Sequence, residues 1–449
     1  MSRIAFICSE PLKGNMAGIA IRSSELSAAL ARAGFTVSLF APSIDVDSYP
    51  APPNVDLNAF HSEINETTFA DFDVLVVQGH VGEAVLKWAD AIPVVVDLYD
   101  PYLIENAYYH EALGTDVFES DFSSWQALLA SGDFFLCANE QQKLFYSGLL
   151  VANRRIGPAI LNEDPTLSSL IGIVPFGIPT DVAPYQPCLP ERVENRQRVL
   201  FGGLYDWYDP LTLLQALDGP EFENVEVIFV RNPNPDTTPQ TLIREVEAWF
   251  VERQWDQARY RVIDWVPYER RYDLLRDVDV LVATHAQSLE TDLSFRTRFL
   301  DAMRIGCPVI CSEGGGISQL IATYGNGLVV APNDVNALRQ ALEHTLSPQK
   351  KRSGDSQVQQ FIADHVWDSV IAPLVTFCSE PKKYNRGMRP KVSPLVKESE
   401  SVAVRFSVVL PTYNRMDILP EVLDALEKQH NAPPFEVIIV NDGSTDGRI

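Results

Sequence analysis

Two arginines stand where a predicted helix begins, and together they could bind phosphate. The segment Ser294-Phe-Arg-Thr-Arg298 precedes the apolar positions of a helical face, and Ser294 is predicted to cap that helix at its amino end. Exposed N–H groups, the helix dipole and the guanidiniums of Arg296 and Arg298 would then converge, which favours a diphosphate. A second interpretation stays open, in which Arg298 pairs with Asp301 along the helix and Arg296 is solvated.

Paired glycines follow two predicted strands of the second half of the chain. Gly202 and Gly203 follow one strand, and Gly315 and Gly316 follow another. Glycine lets a ligand approach backbone N–H groups closely, although tight turns alone would also explain these pairs. Neither GxGxxG nor GxxxxGK[ST] occurs, so a dinucleotide-binding loop and a P-loop lose their main support.

Two carboxylates stand at the end of a predicted strand in the first half of the chain. Asp97 and Asp100 follow the apolar run that begins at Val94, and ligands of doubly wound sheets bind beyond the carboxyl ends of strands. The pair could orient sugar hydroxyls or act in proton transfer, whereas Asp100 could instead form a turn before Pro101. No His/Cys cluster has metal-ligand spacing, so we expect no metal site and no cofactor.

Composition narrows the class of protein. The chain has 449 residues, 46% hydrophobic and 21% charged, with a formal net charge of −24. This balance is typical of folded domains, and the acidic charge opposes nucleic-acid binding as the main function. No apolar run is long enough to span a membrane, and the six scattered cysteines suit a reducing compartment. We therefore expect a cytoplasmic protein.

Predicted strands alternate with helical stretches in two successive series, which is typical of parallel sheets covered by helices. The predicted strands are Ile4–Cys8, Thr36–Ala41, Val74–Gln78, Val94–Leu98, Phe134–Ala138, Val199–Phe201, Val225–Val230, Arg261–Ile263, Val278–Ala283, Pro308–Cys311 and Leu328–Val330. The fold class is therefore α/β, with two tandem Rossmann-like domains at residues 1–183 and 184–377. The proline-containing segment 184–197 would connect them, and the two sheets would enclose a cleft.

The remainder of the chain differs in character. Residues 378–405 hold seven Lys or Arg and three Glu, which predicts a basic linker. A solvated tether and a docking patch for an acidic partner or a membrane surface both stay open. Residues 406–449 read as one strand–helix–strand unit, which cannot bury both faces of its sheet alone. We therefore expect an incomplete C-terminal α/β unit.

Several motifs of the first 377 residues together resemble glycosyltransferase family 4, which has the GT-B fold. They are Met16-Ala-Gly-Ile-Ala-Ile-Arg22 with Glu25, Asp97-Leu-Tyr-Asp-Pro101, Val174-Pro-Phe-Gly177, Gly202-Gly-Leu-Tyr-Asp-Trp207 with Asp209-Pro210, Ser294-Phe-Arg-Thr-Arg298, Gly315-Gly-Ile-Ser-Gln-Leu-Ile321, Tyr324-Gly-Asn-Gly-Leu-Val-Val330 and Asn333-Asp-Val-Asn-Ala-Leu338. The resemblance implies a hexosyltransferase that moves a sugar from a UDP- or GDP-sugar to a glycan or lipid-linked acceptor. It also implies retention of configuration, no metal, a role in surface polysaccharide biosynthesis, and a peripheral membrane contact as an option.

The resemblance also implies positions for individual residues. Gly18 and Arg22 would lie on the cleft floor, Asp97 and Asp100 would face the sugar or the acceptor, and Asp301 would bind the ribose hydroxyls. The family usually carries two glutamates eight residues apart around the donor.

Here Asp301 takes the second glutamate position and Leu293 the first, with Glu290 nearby. The family's Arg and Lys near Gly203 and Asp209 are absent. Arg296, Arg298 and Arg231 are the candidates to replace their charge. A nucleotide-sugar epimerase of GT-B fold and a catalytically degenerate sugar-nucleotide-binding scaffold are the alternatives.

The last segment resembles a different class. Pro411-Thr-Tyr-Asn-Arg415 and Asn441-Asp-Gly-Ser-Thr-Asp446 are similar to the start of glycosyltransferase family 2, which has the GT-A fold. In that family, the positions of Tyr413 and Asp442 contact the nucleotide. The resemblance implies that its metal-binding motif and catalytic base would lie beyond residue 449.

Overall fold

The computed structural model has two compact units, Met1–Tyr384 and Asn385–Ile449. It describes residues 2–49, 51–60, 68–79, 91–108, 114–193, 195–231, 241–347, 355–383 and 406–446. The first unit contains both large sheets.

The first large sheet and its helices form what we call the N-domain. Its strands are β1 (Arg3–Ile7), β2 (Thr36–Ala41), β3 (Val55–Ala59), β4 (Val74–Gln78), β5 (Val94–Asp97), β6 (Phe134–Cys137) and β7 (Ile171–Ile173). Its described helices are α1 (Gly18–Arg32), α2 (Tyr102–Tyr108), α3 (Thr115–Ser131), α4 (Glu140–Ala152) and α5 (Pro158–Glu163). The strands are parallel, in the order β3-β2-β1-β4-β5-β6-β7. The strands β4, β5 and β6 are buried throughout because helices cover both faces of such a sheet.

The second large sheet and its helices form the C-domain. Its strands are β8 (Gln197–Phe201), β9 (Val225–Val230), β10 (Tyr260–Ile263), β11 (Val280–Ala283), β12 (Val309–Ser312) and β13 (Gly327–Val330). Its described helices are α6 (Pro210–Ala216), α7 (Thr241–Glu252), α8 (Arg271–Arg276), α9 (Leu289–Leu293), α10 (Thr297–Arg304), α11 (Gly315–Tyr324) and α12 (Val335–Leu346), with 3₁₀ turns at Pro220–Phe222 and Tyr268–Arg270. The parallel order is β10-β9-β8-β11-β12-β13.

These two sheets confirm the predicted α/β class with tandem Rossmann-like domains. The predicted strands are all present, with ends that differ by at most two residues. The sequence analysis missed β3 and β7. Both lie at edges of the N-domain sheet, where β3 is only partly buried and β7 has three residues, so neither has the long apolar run of a central strand. The boundary at residues 183 and 184 stays a prediction.

Three helices follow the C-domain: α13 (Asp355–His365), α14 (Trp367–Val370) and α15 (Ala372–Ser379). This segment contacts the N-domain. The backbone N–H of Ile178 donates to the carbonyl of His365 at 2.9 Å, and that of Trp367 donates back to Ile178 at 3.1 Å. The rings of Phe134 and Phe377 stack with their centroids 4.8 Å apart. The last helices of the first unit therefore pack against the N-domain.

Gly177 makes a testable contribution to this packing. A Cβ at Gly177 would lie 2.5 Å from the ring of the buried Trp367. We expect Gly177→Ala to lower the free energy of unfolding by about 1–3 kcal/mol, because the well-packed indole cannot move aside without strain. Urea denaturation followed by tryptophan fluorescence measures this change.

Gly148 is the matched control, because it lies in α4 with open space around a built Cβ. Gly148→Ala should leave stability unchanged or raise it by up to about 1 kcal/mol. Equal stability of the Gly177→Ala variant and the parent protein would contradict the packing argument.

The second unit is described for residues 406–446. Strands β14 (Phe406–Thr412) and β15 (Phe435–Asn441) pair in parallel and flank α16 (Leu419–Glu427). This is the predicted strand–helix–strand unit. Most of the predicted basic linker, residues 384–405, lies outside the described residues. In the part of the chain that the structure describes, no helix is both long and apolar enough to cross a membrane.

Candidate active site

A cleft of about 400 Å³ lies between the two domains of the first unit. Both domains line it with loops that follow the carboxyl ends of their strands, which is where ligands of such sheets bind. The predicted site residues that line it are Gly18, Asp100, Gly202, Ser294, Arg296, Arg298 and Asp301. The structure therefore brings together residues that are almost 300 positions apart in the sequence.

Arg296 is held in place by a carboxylate and an aromatic ring. Its Nη2 donates to Glu290 at 2.7 Å, and the guanidinium lies 4.7 Å from the centre of the Tyr208 ring. Burial opposes its charge, but Tyr208 and Glu290 keep the pKa of Arg296 above its ordinary value. Its Nε is buried without a hydrogen-bond partner. Arg296 is thus a fixed cation with unused donor capacity.

Arg298 has fewer protein partners than Arg296. Its guanidinium lies 4.8 Å from the centre of the Trp265 ring, and its Nη1 is buried without a hydrogen-bond partner. Burial lowers the pKa of Arg298, although neighbouring phenols and Asp301 oppose that shift. Within the described residues, Arg298 forms no ion pair.

The alternative interpretation, in which Arg298 pairs with Asp301, is wrong. Asp301 accepts a hydrogen bond from Nε of Arg271 at 3.0 Å instead. Arg271, which the sequence analysis missed, also lines the cleft and lies 3.6 Å from the centre of the Tyr268 ring. Tyr268 in turn donates to Glu25 of the N-domain at 2.9 Å. This chain of contacts joins the two domains beside Asp301.

Ser294 lines the cleft, but the prediction that it caps a helix is wrong. It follows the last residue of α9, a short helix that the sequence analysis did not predict, and its N–H donates to Glu290 at 2.8 Å. The helix α10 begins at Thr297, with Arg296 before it and no side-chain cap. The Oγ of Ser294 is buried without a partner, so it remains available to a ligand.

Asp97 and Arg22 lie behind the cleft wall, which corrects the expectation that they face a ligand. Arg22 donates from Nε and Nη2 to the two carboxylate oxygens of Asp97 at 2.6 and 3.2 Å. It also donates to the carbonyls of Val174 and Pro175 at 2.7 and 3.0 Å. Both side chains are buried and neither lines the cleft. The ion pair and the hydrogen bonds to backbone carbonyls occupy the polar atoms of these side chains. The pair therefore has a structural role behind the cleft wall.

Asp100 does reach the cleft, together with Glu10 and Glu105. Burial and the neighbouring Glu10 raise the pKa of Asp100 to about 7, although a hydrogen bond with Glu105 opposes this. Burial and the charge of Asp100 raise the pKa of Glu105 as well. The two carboxyl groups can therefore share a proton near neutral pH. The sequence analysis missed Glu105, whose signal was its place in the first turn of α2, five residues after Asp100.

The four glycines differ in their positions. Gly202 lines the cleft, whereas Gly203 adopts φ +154° in the turn that follows. Gly315 adopts φ +61°, and a Cβ there would lie 2.6 Å from the carbonyl oxygen of Thr291. Gly316 lies beside it in the first turn of α11. Gly315 therefore allows the start of α11 to approach α9 closely, and neither Gly315 nor Gly316 lines the main cleft.

Gly315 borders a smaller cavity of about 10 Å³ with His285, Ser294 and Arg296, enough for about one water molecule. Burial holds the pKa of His285 well below its ordinary value, and both its ring nitrogens lack partners. The cavity adjoins the cleft through Ser294 and Arg296, which line both.

Arg231 lies outside the cleft, contrary to its expected role. Its exposed guanidinium is 3.7 Å from Glu247 and 3.8 Å from Asp264, and it does not line the cavity. Arg231 directly follows β9. Its place at the carboxyl end of a strand was the only signal for a role in binding the diphosphate.

Two family models match parts of the chain, and solved structures share its fold. Residues 212–347 match the family described as glycosyl transferases group 1, and residues 407–448 match glycosyl transferase family 2. The fold is similar to sucrose-phosphate synthase from Thermosynechococcus elongatus, with a TM-score of 0.58 and 16% identity over 84% of this chain and 98% of that one. It is also similar to Anabaena HepE in complex with UDP and glucose, with a TM-score of 0.60 and 15% identity over 85% of this chain and 100% of that one.

Two curated relatives match shorter segments. Chondroitin synthase of Pasteurella multocida is 26% identical over 139 residues, which are 30% of this chain and 14% of that protein. Validoxylamine A glucosyltransferase of Streptomyces hygroscopicus is 46% identical over 57 residues, 12% of each. The matched segments thus span less than a sixth of either relative. Together, these matches and the shared fold confirm the resemblance and support a glycosyltransferase of GT-B type.

Proposed function

We propose that the first unit transfers a sugar from a UDP- or GDP-sugar to a glycan or lipid-linked acceptor. The observation that carries this proposal is the pair of arginines in the cleft, of which Nη1 of Arg298 and Nε of Arg296 are buried and lack protein partners. A buried cation with unused donors fits an anionic group such as a diphosphate. The solved complexes of HepE with UDP and UDP-glucose, on the same fold, support this donor class.

The residues of the cleft can serve the reaction in distinct ways. As the bond between the sugar carbon and the diphosphate oxygen breaks, its electron pair moves to the diphosphate. Arg296 and Arg298 would stabilise that charge with their guanidinium groups. Asp100 would orient the acceptor or the sugar, and Asp301 would bind the ribose. The resemblance to family 4 supports retention of configuration.

The names of similar proteins also point to a biosynthetic process. Their names include a chondroitin synthase and WaaG, a glycosyltransferase involved in lipopolysaccharide biosynthesis. We place this chain in surface polysaccharide assembly on that basis. We place it in the cytoplasm because its six cysteines are free thiols, which suits a reducing compartment.

Donor binding should not depend on a divalent metal. Among the residues that the structure describes, no group of three acidic, His or Cys side chains could hold an ion. The arginines would supply the positive charge instead. We expect the UDP affinity of the protein, measured by isothermal titration calorimetry, to change less than twofold in EDTA. Loss of binding in EDTA with recovery in Mg²⁺ or Mn²⁺ would contradict this mechanism.

A transfer assay tests the proposal itself. Purified full-length chain is incubated with UDP-glucose, UDP-galactose or GDP-mannose and a mixture of oligosaccharide acceptors, and mass spectrometry detects a product one hexose heavier. Release of nucleoside diphosphate with such a product supports transfer. Nucleotide binding without turnover would favour the degenerate scaffold, and absence of any nucleotide binding would refute the proposal.

One observation favours an epimerase as a second candidate. That reaction needs an acid/base pair at the sugar, and Asp100 and Glu105 form a carboxyl pair in the cleft. An epimerase would convert its nucleotide-sugar without an acceptor. Incubation of UDP-N-acetylglucosamine alone, followed by NMR of the sugar, separates the two functions.

A further inference from the structure

The smaller cavity of the C-domain, beside the cleft, is lined by three polar side chains with unused hydrogen-bonding atoms. It measures about 10 Å³, which is room for about one water molecule. Both ring nitrogens of His285, the Oγ of Ser294 and the Nε of Arg296 are buried and form no hydrogen bond with the described residues. His285 is only 3% exposed. Because buried polar groups are nearly always hydrogen-bonded, these atoms predict a polar occupant.

The position of the His285 ring is set by its backbone and by a neighbouring aromatic ring. The N–H of His285 donates to the Oγ of Ser312 at 3.1 Å, and its backbone pairs with that of Tyr208 in an antiparallel bridge. The centres of the His285 and Tyr208 rings are 5.5 Å apart, and the guanidinium of Arg296 lies 4.7 Å from the centre of the same Tyr208 ring. His285 and Arg296 are therefore both held against Tyr208, and both line the small cavity.

The donors and acceptors around the cavity identify its occupant. Burial and the charge of Arg296 hold the pKa of His285 well below its ordinary value, so the imidazole is neutral, with one N–H donor and one bare acceptor nitrogen. Arg296 can only donate, and Ser294 can donate or accept. A cation would be repelled by Arg296, and an anion would leave the bare nitrogen of His285 unsatisfied. Water accepts and donates, and a buried water usually has about three partners.

We propose that one water molecule bridges His285, Ser294 and Arg296, and that His285 is thereby a positioning residue for the diphosphate site. The water accepts from Nε of Arg296 and from the hydroxyl of Ser294, and it donates one hydrogen to the bare nitrogen of His285.

The second hydrogen of this water is left for an oxygen of the diphosphate, because Ser294 and Arg296 line both the small cavity and the cleft. The unused Nε of Arg296 then acts on the ligand through the water, and a bridging water is nearly as favourable as a direct contact. This inference rests on the proposed function, of which it adds a residue that positions the leaving group.

A high-resolution crystal structure of the full-length chain tests the water site. We expect one solvent peak within hydrogen-bond distance of His285, Ser294 and Arg296, and no anomalous signal at that peak after a soak in sodium bromide. An empty cavity, or a bromide ion inside it, would overturn the inference.

His285→Leu tests the positioning role, because it removes both ring nitrogens and keeps a buried side chain of similar size. It removes one water-mediated contact with the diphosphate, so UDP affinity should fall about threefold to tenfold while UMP affinity stays within twofold. His285→Asn and His285→Gln place an amide at the depth of Nδ1 and of Nε2, respectively. At least one of them should keep the ratio of UDP to UMP affinity within twofold of the parent protein. Isothermal titration calorimetry measures these affinities.

His365→Leu is the matched control. His365 is also buried, but its Nδ1 hydrogen-bonds the carbonyl of Phe361 at 3.0 Å, and it lines neither cavity. This variant should leave the ratio of UDP to UMP affinity unchanged, whatever its effect on stability. An unchanged ratio in His285→Leu, or equal losses of UDP and UMP affinity, would overturn the positioning role. Failure of the parent protein to bind UDP would refute the proposed function, and the solvent density would still decide the water site.

Discussion

Asp97→Ala is expected to lower the free energy of unfolding by about 3–5 kcal/mol, because it leaves the Arg22 guanidinium buried without its counter-charge. The two side chains form a bidentate pair at 2.6 and 3.2 Å and are both buried. Arg22 also joins α1 to the carbonyls of Val174 and Pro175. The loss therefore weakens the N-domain at the level of the cleft. Chemical denaturation followed by circular dichroism measures it.

A surface ion pair provides the matched control. Arg32 and Asp368 pair at 2.7 Å, with about half of each side chain exposed, so Asp368→Ala should cost less than about 1 kcal/mol. The double variant Arg22→Met with Asp97→Ala should be more stable than Asp97→Ala alone, since it removes the stranded charge. If Asp97→Ala abolished catalysis with full stability, Asp97 would be catalytic, as the sequence suggested.

Arg298→Ala is expected to weaken UDP binding about tenfold to a hundredfold, which corresponds to one charge-assisted contact of about 1.5–3 kcal/mol. Arg298 is the cleaner target of the two arginines, because it forms no ion pair within the described residues and one of its donors lacks a partner. Arg298→Lys should recover part of the affinity, since an ammonium cannot make a bidentate contact. Isothermal titration calorimetry measures the UDP affinity of the parent protein and of the two variants.

Two further variants make this result interpretable. Arg231→Ala removes the same side chain from an exposed position outside the cleft and should bind UDP like the parent. Arg296→Ala should also weaken binding, but it strands the buried carboxylate of Glu290, so it is compared in a Glu290→Gln background. If Arg298→Ala and Arg296→Ala both bound UDP like the parent, the phosphate assignment would be wrong.

Most of the fold follows from local sequence patterns. Central strands such as β4 and β9 are continuous apolar runs, and burial on both faces requires such runs. Helix α1 shows apolar residues at helical spacing and ends just before Gly34, which adopts φ +98°. The edge strands β3 and β7 lack this signal because half-buried or very short strands need few apolar residues. Their pairing depends on neighbours that are distant in the sequence.

The site was less predictable, because it depends on side-chain partners. Asp97 and Asp100 are equivalent by position after a strand, yet only the fold shows that Arg22 neutralises Asp97 while Asp100 faces the cleft. Arg271 carries no local signal, since its role comes from contact with Asp301, which is 30 residues away. The sequence predicts a cap at Ser294 because α9 is too short to show a helical period. Arg296 and Arg298 do line the cleft, as the charge and spacing suggested.

The most direct test of the central claim compares UDP with UMP on the full-length chain by isothermal titration calorimetry. The two ligands differ by one phosphate, which the cleft arginines should bind. The account predicts that UDP binds at least tenfold more tightly than UMP and that Arg298→Ala narrows this difference to threefold or less. Equal affinities for UDP and UMP, or a difference that Arg298→Ala leaves intact, would contradict the assignment of the cleft as a nucleotide-diphosphate site.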